Sequence, residues 1–382
     1  MPRRYYAELE GLRGLAAVNV ALAHFSLAFV PVLLKGSYPD LVIRQTPEGF
    51  WVDLLRWPPL AVFFNGHFAV MVFFVLSGYV ITQPAFEGDP RALLRRLAGR
   101  YLRLNGPILI TVWLSFLLAH LGAYANIAAG DRWGSAFFES HFRVLPSLGE
   151  TLTASLWGTL TGQDLRLDPP LWSLRIEWFG SLALLLVYSG AAKSQTLWAA
   201  LIAAVLLALA PGEDRWFYFF LWAGAQLPRG LGLEARYRLW SWLPGLAGLF
   251  LGAYTPSLTP YQSLPDLWGL LSLEADKKTF YNGLGGLLLV WAVLLGFGAA
   301  WLKKGLFQWL GQRAYALYLV HFLWLASGTA WLSLRVPVNG FGLSLLLLAY
   351  LGGGLLLSQG FTRWVDRVFI RMGRGLGQAL FG

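Results

Sequence analysis

Arg13 and His24 stand eleven residues apart in an apolar stretch. At about 100° per residue a helix makes three turns plus about 20° over that interval, so both side chains share one face, about 16 Å apart along the axis. An arginine near one mouth of a membrane span can grip a phosphate or another anion. A histidine near the bilayer middle can accept a proton close to neutral pH, as a general base does. A structural reading stands beside this one: an arginine snorkelling to the interface and a histidine satisfied by a neighbouring helix.

Three further stretches carry chemistry-bearing residues. Phe73-Phe74-Val75-Leu76-Ser77-Gly78-Tyr79 is followed by Arg91, Arg95, Arg96, Arg100 and Arg103. Ser77-Gly78 suits helix packing, and the arginines either mark orientation or hold a phosphorylated ligand. Leu171-Trp172-Ser173-Leu174-Arg175-Ile176-Glu177 sets an arginine and a glutamate near the outer end of a span, where an ion pair with another helix is the structural alternative. Leu310-Gly311-Gln312-Arg313-Ala314-Tyr315-Ala316-Leu317-Tyr318-Leu319-Val320-His321 brings Tyr318 and His321 to one helical face at i, i+3. Packing with a satisfied hydrogen bond is the plain reading of such a pair.

The elements that must position these residues are membrane spans. Of 382 residues, 57% are hydrophobic and 13% charged, about half the charge of an average soluble protein. The apolar residues come in blocks about 20 long, the length that crosses a bilayer. The 19 tryptophans and 43 glycines agree, since Trp collects at membrane interfaces and Gly lets spans pack closely. A soluble α/β enzyme, a coiled coil and a disordered chain are excluded. The absence of cysteine removes disulfides, Cys-ligated zinc, iron–sulfur clusters and a thiol nucleophile.

The blocks predict ten helices, at about 11–34, 67–85, 104–125, 171–190, 196–211, 215–228, 237–254, 281–302, 313–334 and 338–360. The expectation is an all-α polytopic membrane protein, about ten transmembrane helices in one bundle, both termini cytoplasmic. That orientation places Arg3, Arg4, Arg91 to Arg103, Lys193, Arg229, Arg236, Arg238, Lys303, Lys304, Arg313 and Arg363 to Arg374 inside, as the positive-inside rule requires. The net charge of +10 is therefore a matter of topology and inner-leaflet lipid, and no nucleic-acid partner is expected. Residues 1–360 form the transmembrane domain, and 361–382 read as a basic amphipathic helix on the inner surface. Ala21-Leu22-Ala23 resembles a signal-peptide cleavage site, but the apolar run continues through Phe25 to Leu34, which suits an uncleaved anchor. The largest loop, about 126–170, is expected outside and holds Asp131, Glu139, His141, Arg143, Glu150, Asp164 and Asp168.

Taken together, the four stretches resemble the membrane-bound acyltransferase-3 family, which includes O-antigen and other glycan O-acyltransferases. Glu8 to Ala17 resembles its E-L-D-G-L-R-G-L-A opening, and Arg13 with His24 its R-x10-H motif. Phe73 to Tyr79 resembles F-F-x-L-S-G-F, the arginines through Arg100 and Arg103 to Pro107 resemble R-x-x-R-x-x-P, and Trp172-Ser173-Leu174 with Glu177 resembles W-S-L-x-x-E. Leu310 to His321 resembles L-G-x-x-S-Y-x-x-Y-L-x-H. The chain departs from the pattern at Glu10 for Asp, Tyr79 for Phe, Trp178-Phe179-Gly180 after the glutamate, and Ala314 for Ser.

The resemblance implies transfer of an acyl group, acetyl being the commonest, from cytosolic acyl-CoA to a hydroxyl of a sugar, glycan or lipid-linked acceptor at the extracytoplasmic side of a bacterial inner membrane. It implies His24 as general base and Arg13, Arg100, Arg103 and Ser77 as the donor-binding set. Glu177 would orient the acceptor or the histidine, Tyr318 would donate to the thioester oxygen, and His321 is the other polar member of the late motif. No permanently bound cofactor and no metal is implied. The alternative to direct transfer is a covalent acyl-His or acyl-Ser intermediate through Ser77 or Ser173, although no serine stands at the Arg–His spacing. Two other readings stay open: a transporter or flippase of an envelope precursor, which predicts two similar halves that the sequence does not display, and an inactive acyltransferase-like assembly partner.

Overall fold

The computed structural model describes residues 6–42, 49–86, 89–163, 165–190, 201–202, 205, 209–210, 214–228, 239–265 and 277–382. Among them there is no strand, only one isolated bridge between Val42 and Ser135. Seven helices among the described residues are long and apolar enough to cross a membrane, so the chain is an all-α polytopic membrane protein. The elements used below are α1 (Ala7–Phe29), α2 (Gly66–Phe86), α3 (Pro90–His120), α4 (Trp172–Gly190), α5 (Asp214–Gln226), α6 (Trp242–Gly252), α7 (Lys277–Leu295), α8 (Ala314–Trp324), α9 (Gly340–Phe361) and α10 (Arg367–Phe381).

Seven of the ten expected spans therefore have span-length helices, α8 among them because a π-turn at Leu325–Thr329 carries it on to Ser333. The expected span 215–228 is the 13-residue α5 and 237–254 the 11-residue α6, both shorter than the ~20 residues a crossing needs. Most of 196–211 lies outside the described residues, as do Arg3, Arg4, Asp164, Lys193, Arg229, Arg236 and Arg238.

Two helix boundaries differ from the apolar blocks for local reasons. α1 stops at Phe29 because Pro31 follows, and the residue before a proline is driven out of the α region; Val30 sits at φ −140°, ψ 53°. α3 starts at Pro90, well ahead of its apolar block. Asp89 accepts a hydrogen bond from the Ala92 amide at 2.9 Å, Pro90 occupies the first turn, and the arginines are good helix formers. At 31 residues α3 is about 46 Å long, so its arginine-rich start projects beyond the apolar zone.

Close approaches through glycine bind the bundle. A Cβ on Gly11 would strike the Leu302 carbonyl, and one on Gly14 would strike Leu310 and Gly311. The opening motif thus packs directly on the start of the late one. Gly78 of α2 and Gly224 of α5 meet reciprocally, each facing the other helix's backbone. The tail is helical and continues α9 through a π-turn at Thr362–Asp366. Its Gly373 and Gly377 lie on the backbone of α3 at Gly99 and Arg95, so this segment docks along the basic start of α3.

One end of the bundle collects the cations. Lys303 pairs with Glu8 at 3.2 Å, Arg95 pairs with Asp89 at 3.1 Å, and the Phe381 carbonyl accepts a hydrogen bond from Arg95. The opposite end holds the loops after α1 and α3 and the start of α4.

Candidate active site

His24 lies five residues before the end of α1, nearer the far end of the bundle than the middle that a span of 11–34 would give. α8 delivers His321 beside it, with 5.1 Å between ring centroids and 3.2 Å between His321 Nε2 and His24 Nδ1. The hydrogen bonds fix the neutral tautomers, because a carbonyl can only accept. His321 Nδ1 faces the carbonyls of Tyr318 (2.7 Å) and Leu317 (3.1 Å), so it carries the proton and Nε2 is a lone pair. His24 Nδ1 faces the Val20 carbonyl at 3.0 Å and that lone pair, so it too is the donor. Nε2 of the half-buried His24 is left as an acceptor with no partner among the described residues.

Tyr318, one turn before His321, donates to the Pro170 carbonyl and pairs with Ser173 Oγ at 2.7 Å. Phe73 packs on its ring at 6.4 Å. Ala314, where the late motif would have serine, is fully buried and packs with Ala17 and Leu317. No polar partner is required there.

The other predicted residues form a second group. Arg100 is buried, ion-paired with Glu177, and donates from Nε to Ser181 Oγ at 2.8 Å. Ser77 Oγ donates to the same Glu177 Oε1 at 2.5 Å. Glu177 is thus joined to Arg100 and Ser77, while the group oriented on His24 is His321. Arg13 pairs with Glu10 and donates to the Gly311 carbonyl at 3.2 Å. Arg103 is exposed, with Arg100, Arg13, Asp366 and Arg374 in electrostatic reach. Arg175, beside the third motif, pairs with Asp214 of α5 at 2.5 Å.

Two residues that no motif singled out border the histidines. His141 packs its ring on Phe137 (4.6 Å) and Phe322 (5.3 Å); His24 touches the same two rings at 6.0 and 5.3 Å. Burial lowers the pKa of His141, opposed by its hydrogen bond to the Phe137 carbonyl, so the ring is neutral near pH 7. Asp168 precedes Pro169-Pro170 at the start of α4 and is 1% exposed, with no hydrogen-bond partner at either carboxyl oxygen. Burial pushes it well above the usual carboxylate range, so it is held as the neutral acid. It lies in electrostatic reach of Tyr124 and Tyr318. Such a buried orphan costs stability, which makes it a functional suspect.

A cavity of about 320 Å³ opens elsewhere, lined by Leu33 to Ser37, Arg56, Asn65 and Ala253 to Leu258. None of its residues belongs to the four motifs, and neither His24 nor His321 lines it. Among the described residues no group of three His, Cys, Asp or Glu side chains could hold a metal ion.

The model of the acyltransferase-3 family, an acyltransferase domain, matches residues 6–363. The chain belongs to this family. No curated protein and no solved structure matches it. The match runs through all four motifs and both paired histidines and ends in the π-turn after α9. This acyltransferase is an integral, multi-pass membrane protein.

Proposed function

We propose that this membrane acyltransferase moves an acyl group, acetyl in the first instance, from acyl-CoA held at the basic end to an acceptor hydroxyl at the opposite end. The acceptor is a sugar, glycan or lipid-linked hydroxyl outside a bacterial inner membrane, and the basic end faces the cytoplasm. The observation that carries the reading is the His24–His321 pair, whose hydrogen bonds leave His24 Nε2 as a lone pair without a partner among the described residues. Nε2 takes the hydroxyl proton as the oxygen attacks the thioester carbonyl carbon. The C–O bond forms, the C–S bond breaks, and the imidazolium returns the proton to the departing thiolate, giving ester and free CoA. His321 accepts from the Nδ1–H of His24 throughout, which orients the ring and spreads the charge it gains.

Arg13, about 16 Å along α1 from His24, a span that an extended pantetheine arm covers, and exposed Arg103, in electrostatic reach of Arg13, supply positive charge for the donor's phosphates. Arg100 holds Glu177, and Tyr318, committed to Pro170 and Ser173, braces α4 against α8. Among the described residues neither Ser77 nor Ser173 is hydrogen-bonded by an imidazole, which favours direct transfer over an acyl-serine.

The test uses sealed membrane vesicles. Inverted vesicles should consume external acetyl-CoA, and right-side-out vesicles should do so only after permeabilisation. Equal consumption in both would defeat the sidedness, and no consumption in either would defeat the reaction.

A further inference from the structure

The loop between α3 and α4 carries a second imidazole with its acceptor nitrogen free. His141 Nδ1 faces the Phe137 carbonyl at 2.7 Å, so Nδ1 bears the proton and Nε2 is a lone pair with no partner among the described residues. The residue is held firmly. Buried Asn126 donates to the carbonyls of Phe138 (2.8 Å) and His141 (2.7 Å). The next residue, Phe142, takes a left-handed φ of 54° and stacks on Tyr124 at 3.9 Å. A non-glycine is strained there, and the surrounding contacts impose it. His24 and His141 lie on the same two phenyl rings, Phe137 and Phe322, close enough to feel each other's charge. Two hydrogen-bond acceptors thus border one apolar floor, the layout of a site for a small molecule with one greasy face and more than one hydroxyl.

We propose that His141 is the acceptor subsite: its Nε2 accepts a hydrogen bond from a second hydroxyl beside the one that His24 deprotonates, so the enzyme selects acceptors bearing a vicinal diol. This rests on the assignment of His24 as the base. His141 is a positioning and specificity residue, and no bond to it forms or breaks.

Purified protein in liposomes, supplied with labelled acetyl-CoA, is offered trans-1,2-cyclohexanediol or cyclohexanol, rings that differ by the neighbouring hydroxyl. The wild type should favour the diol in kcat/KM by about tenfold, the worth of one buried hydrogen bond. His141→Ala should erase that ratio, chiefly through a raised KM for the diol. His141→Gln, which keeps an acceptor oxygen, should retain part of it and serves where the alanine variant folds poorly. A diol preference unchanged in both variants overturns the proposal, as does an equal loss on both alcohols with KM unaltered. His24→Ala should lose transfer to both alcohols; if it stays active, or the wild type acylates neither, the catalytic reading itself falls.

Discussion

At the basic end, Arg13 lies on Glu10, Lys303 on Glu8 and Arg95 on Asp89, and deeper in the bundle Arg100 lies on Glu177. At the other end His24, His141 and Asp168 keep hydrogen-bonding capacity that no group among the described residues uses. The first arrangement compensates its charges and so holds helices in register. The second leaves neutral polar groups unfilled beside aromatic rings, which is costly unless something else arrives to fill them. The contrast separates arginines committed to carboxylates, which brace the helices, from the His24–His141–Asp168 group, which on the proposed function is where the reaction takes place.

The strongest way to break this contrast is His24→Ala, which should lower transfer by about 10²- to 10⁴-fold while the protein still melts cooperatively in detergent. A variant with near-normal activity would move His24 into the structural group. Next is Arg100→Ala, which strands Glu177 in a largely buried place and should cost about 3 kcal/mol in denaturant titrations. Adding Glu177→Gln should recover part of that loss; no recovery would mean the pair is not what Arg100 serves.

Asp168 gives a smaller, pH-dependent effect. Its folded pKa is raised, and an unfolded aspartate ionises near pH 4. Above that pH the folded state binds more protons than the unfolded one, so the wild type loses stability as pH rises. Asp168→Asn should therefore gain melting temperature relative to wild type between about pH 4 and 8, and parallel profiles would show a carboxylate with hidden partners. Least of all should matter Glu150, on the surface, whose carboxyl is held down to about 2 by the Ser147 amide, Arg166 and the Ser147 hydroxyl. That contribution is present above about pH 4.5 and fades as pH falls toward 2. Glu150→Gln should leave transfer unchanged at neutral pH, and a clear loss would extend the functional face to this capping box.

Hydropathy suffices for α2, α4 and α9, where apolar block and helix nearly coincide. It overruns α1, because the block ignores Pro31, and it misses nearly the first four turns of α3, because arginines are good helix formers without being apolar. α5 and α6 read as spans on aromatic and leucine content, and among the described residues they run to 13 and 11 residues. The Arg13–His24 spacing is visible within one helix. The pairing of His24 with His321 is not, because no periodicity relates residues on different helices. His141 and Asp168 are harder still: one sits in an irregular loop, and the other matters for partners it lacks, which only burial reveals.

The distance in sequence between His24 and His321, 297 residues, becomes an interval of time when the protein is made. At about 5–20 residues per second, α1 emerges some 15–60 s before the helix that satisfies its imidazole and the Leu302–Gly311 backbone that receives its glycines. Through that interval a polar, glycine-notched helix must wait in the membrane with its own partners unborn. Biogenesis should accordingly be the step most sensitive to substitutions in the opening motif, with Gly11 and Gly14 variants lost to proteolysis before any is found inactive.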